Sequence, residues 1–267
     1  MHPLSLDKIT VGELTPLEMV ELAAELGIEA IGLWGYSTNP RSPVTPALDD
    51  QGAKRALSAR LADTGVQIHC MECVILQADT AMSSCEPALA YAADLGARHV
   101  TTCIFDTDTV RHSENFAQLA EMADQFGLNV NIEFLPFSPV NSLAAARRLV
   151  EGTGRSNVGI LVDILHLVRT GGSVEDLRTL PKDLVRYAQI CDGAASVAPQ
   201  DIFHEAVHQR KLPGEGVFPL HEFMAALPED IYVGIEVPLK DMRDRGVPAR
   251  DRARLVRDAL RRTLGHD

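Results

Sequence analysis

The chain is 267 residues long, 46% of them hydrophobic, and carries a formal charge of −12. That length suits one (β/α)8 barrel and is large for one sandwich, and the apolar share is ordinary for a domain with a full core. The negative charge repels a phosphate backbone and speaks against a sequence-independent nucleic-acid binder.

From the N-terminus, residues 4–9 read as a first strand. Thr15 then caps a helix, Pro16 suits its first position, and Glu18 completes a capping box. Leu17, Val20 and Ala24 share one face of that helix, and Gly27 stops it. A short buried strand follows over 29–34. The same grammar recurs. A helix near 48–64 ends at Gly65 and leads to a strand at 66–71. Helices near 81–95 and 109–126 end at Gly96 and Gly127 and lead to strands at 99–105 and 128–133. Helices near 142–152, 173–180 and 218–227 lead to strands at 158–163, 185–191 and 231–236, and a last helix covers about 248–264. Strands alternating with helices imply parallel pairing and right-handed crossovers. Eight such units predict a closed α/β barrel forming one domain over 1–267. The competing open, doubly wound sheet would carry a glycine-rich phosphate loop after strand one, where the chain reads Thr10-Val-Gly-Glu-Leu14.

Cys70 and Cys73 have C-x-x-C spacing, but no second pair follows, so the five cysteines read as buried thiols in a reducing compartment. With no basic leader and no apolar run long enough to span a membrane, the expected location is the cytoplasm. The last helix carries Arg250, Arg252, Arg254, Arg257, Arg261 and Arg262, which reads as a solvated outer face or as a subunit contact in a homo-oligomer.

Barrel enzymes keep their active sites at the C-terminal ends of the strands. Strand five ends at Glu133, strand six at Asp163, strand seven carries Gln189, and strand eight ends at Glu236. Three carboxylates buried together repel one another, and a cation is the simplest remedy. Three carboxylates and one amide oxygen make a hard donor set, suited to Mn²⁺ above all, or to Mg²⁺ or Co²⁺. The competing reading is that Arg and Lys side chains neutralise the carboxylates.

These strand ends, with Asp163-Ile-Leu-His166, resemble the xylose-isomerase-like barrel superfamily of sugar phosphate isomerases and epimerases. Arg210-Lys-Leu-Pro213-Gly-Glu-Gly216, Pro219-Leu220 and Ile235-Glu-Val-Pro238 are also similar to members of that group. The superfamily's ligand set is usually Glu, Asp, His and Glu. This chain has Gln189 where the His falls, with Asp192 three residues on, which resembles some bacterial 3-dehydroshikimate dehydratases.

The resemblance implies a metal-dependent isomerase or epimerase of a small polyhydroxylated carbonyl compound, a keto-sugar or related polyol. Glu133 and Glu236 would exchange protons through an enediolate, and His166 would bind substrate or transfer a proton. A lyase that dehydrates a cyclic keto acid or an inosose, or eliminates from a 3-keto-glycoside, shares the first step. Arg210 could grip a carboxylate or phosphate, which weighs towards the lyase. His69, placed close to the rim, Glu72 and Trp34 are further candidates for substrate contact. His204 and His208 have helical metal-ligand spacing without a third partner, and Gly214 and Gly216 could cradle a phosphate or simply form a turn. A repair nuclease of the endonuclease IV type would need many more histidine ligands, and a catalytically silent barrel would not need both Glu133 and Glu236.

Overall fold

A computed structural model describes residues 2–35 and 48–265. Eight parallel strands close into a barrel in chain order. They are β1 (Leu4–Leu6), β2 (Ala30–Trp34), β3 (Gln67–Leu76), β4 (His99–Ile104), β5 (Asn129–Glu133), β6 (Val158–Asp163), β7 (Val185–Ile190) and β8 (Val233–Ile235). β1 pairs with β2 on one side and β8 on the other, so no sheet edge is left open. The (β/α)8 expectation is met.

Helix α1 (Pro16–Leu26) has the capping box read from the sequence: Thr15 accepts from the Glu18 N–H, and Glu18 takes the Thr15 N–H at 2.7 Å. Gly27 ends it in the left-handed region at φ 63°, a conformation that costs glycine nothing. The helices α2 (Gln51–Thr64), α3 (Glu86–Asp94), α4 (Thr109–Asp124) and α5 (Leu143–Thr153) follow their strands in turn. After β6 come α6 (Ile164–Arg169) and α7 (Val174–Arg178), after β7 come α8 (Ile202–His208) and α9 (Leu220–Ala226), and after β8 come α10 (Lys240–Asp244) and α11 (Ala249–Leu264). Their apolar faces bury Leu22, Phe116, Leu119, Phe223 and Val256 in one core between helix shell and barrel. Helices α6, α8 and α10 are additions to the predicted elements; five to seven residues hold too few turns for a periodicity to be read.

Two strands differ from expectation in ways that bear on the site. β1 stops at Leu6 because Asp7 turns its carboxylate into the barrel, and Lys8–Val11 forms a 3-10 turn. β3 continues to Leu76 rather than ending at residue 71, and its pairing with β4 is irregular between Met71 and Val74.

The arginines of α11 are largely answered within the chain. Arg252, only 2% exposed, gives its guanidinium to the Val247 carbonyl and to Glu13, both at 2.6 Å. Arg250 and Arg254 pair with Glu25 on α1, and Arg257 pairs with Asp258. The helix is thus in part a buried seam against the start of the barrel rather than a wholly solvated face. Among the described residues no helix is long and apolar enough to cross a membrane.

Candidate active site and metal centre

Glu133 and Asp163 are the last residues of β5 and β6, Gln189 is the penultimate residue of β7, and Glu236 follows β8 directly. Strand register places Asp163 beside Gln189 and Gln189 beside Gly234. Glu133, Gln189 and Glu236 line a cleft of about 410 Å³ with Trp34, Glu72, His166 and Arg210, and Asp163 lies fully buried against His166 and Arg210 at its wall. Eight of the nine residues singled out from the sequence therefore meet at one rim.

His69 does not, and its predicted place near the rim is corrected. It is the third residue of the ten-residue β3, so it lies at the floor of the barrel. Its carbonyl accepts from the Arg98 N–H, just before β4, and its ring packs on Tyr187 and Tyr232 at 4.5 and 4.4 Å. The cavity it borders is a separate one, shared with Arg98 and Glu229. Burial holds its pKa well below the usual histidine value.

The electrostatics of the rim centre on Arg210. Its guanidinium lies 2.6 Å from Asp163 Oδ2 and 2.6 Å from Glu236 Oε2, and its Nε donates to the Ala206 carbonyl at 2.9 Å. Burial would raise the Asp163 pKa, but Arg210 and His166 bring it below the usual carboxylate value. Glu236 stays raised well above its usual value by burial and by Asp163 and Glu133, although Arg210 opposes them. Burial and the neighbouring Asp163 push Glu133 up to about 7. His166 Nε2 lies 3.4 Å from Glu133 Oε1 and 3.7 Å from Asp163 Oδ2, and burial lowers its pKa to about 4. The imidazole is therefore neutral at pH 7. Asp163 also caps α6, its Oδ1 accepting from the Leu165 N–H at 2.7 Å, which fixes the direction of Oδ2.

Asp7 is a site residue that sequence reasoning missed, because the strand was read through to residue 9. The strand-end rule applied to Leu4-Ser-Leu-Asp7 would have found it. Its carboxylate sits between Gly32 and Gly234, where a Cβ on either glycine would come within 3.0 Å of it. It accepts from Ser5 Oγ at 3.0 Å, Tyr187 Oη at 2.5 Å and Gln189 Nε2 at 2.9 Å. The second Nε2 proton of Gln189 points to Glu236 Oε1 at 3.1 Å. With both amide protons taken by carboxylates, Gln189 Oε1 is left buried and without a partner. Glu72 is buried as well, and its pKa is raised well above the usual value by burial, then by Asp7, Glu236 and Glu133. Four buried carboxylates and the half-buried Glu133 thus crowd a rim where, among the described residues, the only cation lining the cleft is Arg210. An orphaned amide oxygen among surplus carboxylates fits a divalent ion held by Glu133, Asp163, Gln189 and Glu236.

Other sequence motifs resolve locally. The turn containing Gly214 and Gly216 wraps the Asp192 carboxylate, which accepts from the N–H groups of Gly214, Gly216 and Phe218 at 3.0 Å each. A Cβ at Gly216 would lie 2.1 Å from Asp192 Oδ1, so the glycine serves this close approach. His204 and His208 stack edge-on at 5.1 Å, and no third ligand joins them among the described residues. Cys70 is buried beside Leu161 and Tyr187, whereas Cys73 meets Cys103, so the C-x-x-C spacing does not make a pair.

Known proteins resemble this chain in sequence and in fold. A 3-dehydroshikimate dehydratase of Pseudomonas aeruginosa is 30% identical over 123 residues, 46% of this chain and 19% of that protein. An inosose isomerase of Halalkalibacterium halodurans is 28% identical over 119 residues, 44% of this chain and 41% of that protein. The similarity thus spans about a fifth and about two fifths of these relatives' lengths. The solved structure of the IolI protein with a bound zinc atom superposes with a TM-score of 0.81, covering 98% of both chains at 17% identity. The closed barrel agrees with a match to the xylose isomerase-like TIM barrel over residues 20–263, and the chain belongs to that family.

Proposed function

We propose that the chain is a divalent-metal-dependent isomerase or epimerase that moves a proton alpha to the carbonyl of an uncharged keto-sugar or related polyol. The observation that carries this reading is Gln189 Oε1, buried and unpartnered at the rim that also holds Glu133, Asp163 and Glu236. The set is hard and oxygen-rich, so Mn²⁺ is the first choice and Mg²⁺ or Co²⁺ the alternatives. When bound, the ion would supply Lewis-acid polarisation of the substrate carbonyl.

The chain's own residues do the rest. Glu133 and Glu236 stand on β5 and after β8, on two sides of the cleft. One takes the proton beside the carbonyl and the other returns one, to the same carbon for epimerisation or to its neighbour for isomerisation. His166, neutral and with Nδ1 unpartnered, can hydrogen-bond a substrate oxygen as donor or acceptor. Trp34, Phe105 and Phe137 offer apolar faces to a ring.

The commitment of Arg210 to Asp163, Glu236 and the Ala206 carbonyl favours an uncharged substrate, since this guanidinium is not free to clamp a carboxylate. The lyase reading has one observation in its favour, the similarity to a 3-dehydroshikimate dehydratase. A screen of keto-sugars, inososes and 3-dehydroshikimate with added Mn²⁺, run in D₂O, separates the outcomes. Deuterium at a carbon beside the carbonyl of an isomeric product supports the isomerase, and a conjugated product absorbing in the ultraviolet supports the lyase. Glu133→Gln and Glu236→Gln should each abolish turnover; a fully active double variant would sink the proton-transfer scheme.

A further inference from the structure

Glu133 faces two ways. Its Oε1 lies 3.4 Å from His166 on the side of Asp163, while its Oε2 accepts from Cys103 Sγ at 3.3 Å. Cys103 Sγ in turn lies 3.2 Å from Cys73 Sγ. Cys73 reaches this position because the pairing of β3 with β4 is irregular between Met71 and Val74. That irregularity lets the neighbours Glu72 and Cys73 both line the cleft, where a regular strand would send them to opposite faces. Cys103 is 6% exposed and Cys73 is half-buried, so the pair is reached from the cleft and screened from bulk water. Both are free thiols.

From these three residues we infer a second metal site, distinct in character from the oxygen-rich one: Cys73, Cys103 and Glu133 Oε2 bind one thiophilic divalent ion of the Zn²⁺ or Cd²⁺ class. Their ligand atoms all lie within 4.8 Å of one another. Tetrahedral zinc, with Zn–S of about 2.3 Å and Zn–O of about 2.1 Å, separates its ligand atoms by about 3.6 to 3.8 Å. The observed 3.2 and 3.3 Å contacts open by about half an ångström or less to reach this geometry, and the Cys73–Glu133 separation, within 4.8 Å, closes by at most about one ångström. Binding is not a redox step. The two thiols lose their protons to solvent, the thiolates and Glu133 donate electron pairs to the ion, and a water from the cleft completes the tetrahedron. An ion there draws on the Oε2 lone pairs of Glu133 and lowers its basicity. On the proton-transfer reading above, and resting on it, such an ion is an inhibitor.

The site is tested by titrating the reduced, chelator-stripped full chain with Cd²⁺ and recording the thiolate-to-cadmium charge-transfer absorption in the ultraviolet. This signal needs no turnover, so it stands or falls apart from the isomerase reading. The expected result is a band that saturates at one equivalent of thiolate-bound Cd²⁺, any Cd²⁺ at the oxygen-rich site giving no such band, and a band at least halved in both Cys73→Ser and Cys103→Ser. Glu133→Gln should keep the band and weaken the affinity, and excess Mg²⁺ should leave the wild-type band in place, because hard ions do not take thiolates. No band in the wild type, or a band unchanged in the two serine variants, overturns the site; unchanged affinity in Glu133→Gln overturns the carboxylate's part in it. Should either serine variant fail to fold, X-ray absorption of the Zn²⁺-loaded wild type decides instead. Two sulfurs at about 2.3 Å are expected, and a shell of nitrogen and oxygen alone refutes the inference.

Discussion

Asp7→Asn changes one atom of a side chain that no substrate needs to touch, and it should still weaken metal binding. The carboxylate has donors on both sides: Ser5 and Tyr187 on Oδ1, and Gln189 Nε2 at 2.9 Å on Oδ2. An asparagine has one acceptor oxygen for these two directions. Turned one way, its NH₂ meets Tyr187 and Ser5; turned the other, it meets Gln189 and drives that amide to flip, sending Nε2 towards the ion and Oε1 away. The space between Gly32 and Gly234 admits the amide, which is nearly isosteric with the carboxylate, so the barrel should fold. Loss of a partner that orients a ligand costs about 10- to 100-fold in metal affinity. That corresponds to about 1.4 to 2.8 kcal/mol. Isothermal titration of chelator-stripped protein with Mn²⁺ measures it, with circular dichroism confirming the fold. A folded Asp7→Asn protein that binds Mn²⁺ as tightly as the wild type would refute the idea that Asp7 orients Gln189.

Arg210→Met removes the guanidinium that bridges Asp163 and Glu236, leaving buried carboxylates uncompensated; thermal and denaturant unfolding should show a loss of about 3–5 kcal/mol in metal-free protein. Added Mn²⁺ should recover part of that loss, and no recovery would argue against these two carboxylates as ligands. The Glu133 contribution, read as the stability of metal-free wild type minus that of Glu133→Gln, should fall as pH rises from about 4.5 to about 7, because the folded protein holds the Glu133 proton over a range where the unfolded chain has released it. The difference isolates Glu133 from the buried histidines, whose depressed pKa values add stability over the same range, and a difference that grows with pH would contradict the assignment. Gly216→Ala forces a Cβ to within 2.1 Å of Asp192 Oδ1 and 2.3 Å of the Gly193 carbonyl, and should destabilise the fold by about 1–3 kcal/mol in a thermal melt.

Much of this protein was legible in the chain because the signals are local and repeat. The capping box at Thr15 and Glu18 and the stops at Gly27 and Gly65 depend on neighbours a few residues away, and they marked the helices correctly. The polar residues closing the apolar strands at Glu133, Asp163 and Glu236 needed only the rule that parallel strands end at one rim. What the chain alone left open depends on partners far away in sequence. His69 reads as a rim residue until β3 is seen to run on to Leu76, which sets it at the floor. Arg210 reads as an anion clamp until the barrel closes and places Asp163 and Glu236, 47 and 26 residues distant, against its guanidinium. Asp7 lies 182 residues from Gln189, and Cys73 lies 30 from Cys103, so neither pairing leaves a mark in local spacing. By itself the sequence determined the order of the elements and the rim at which their polar ends gather, since periodicity and capping act over one or two turns. Tertiary structure alone decided which of those polar groups is spent on another and which, like Gln189 Oε1, is left without a partner at the cleft, because burial and hydrogen-bond satisfaction are properties of the closed barrel.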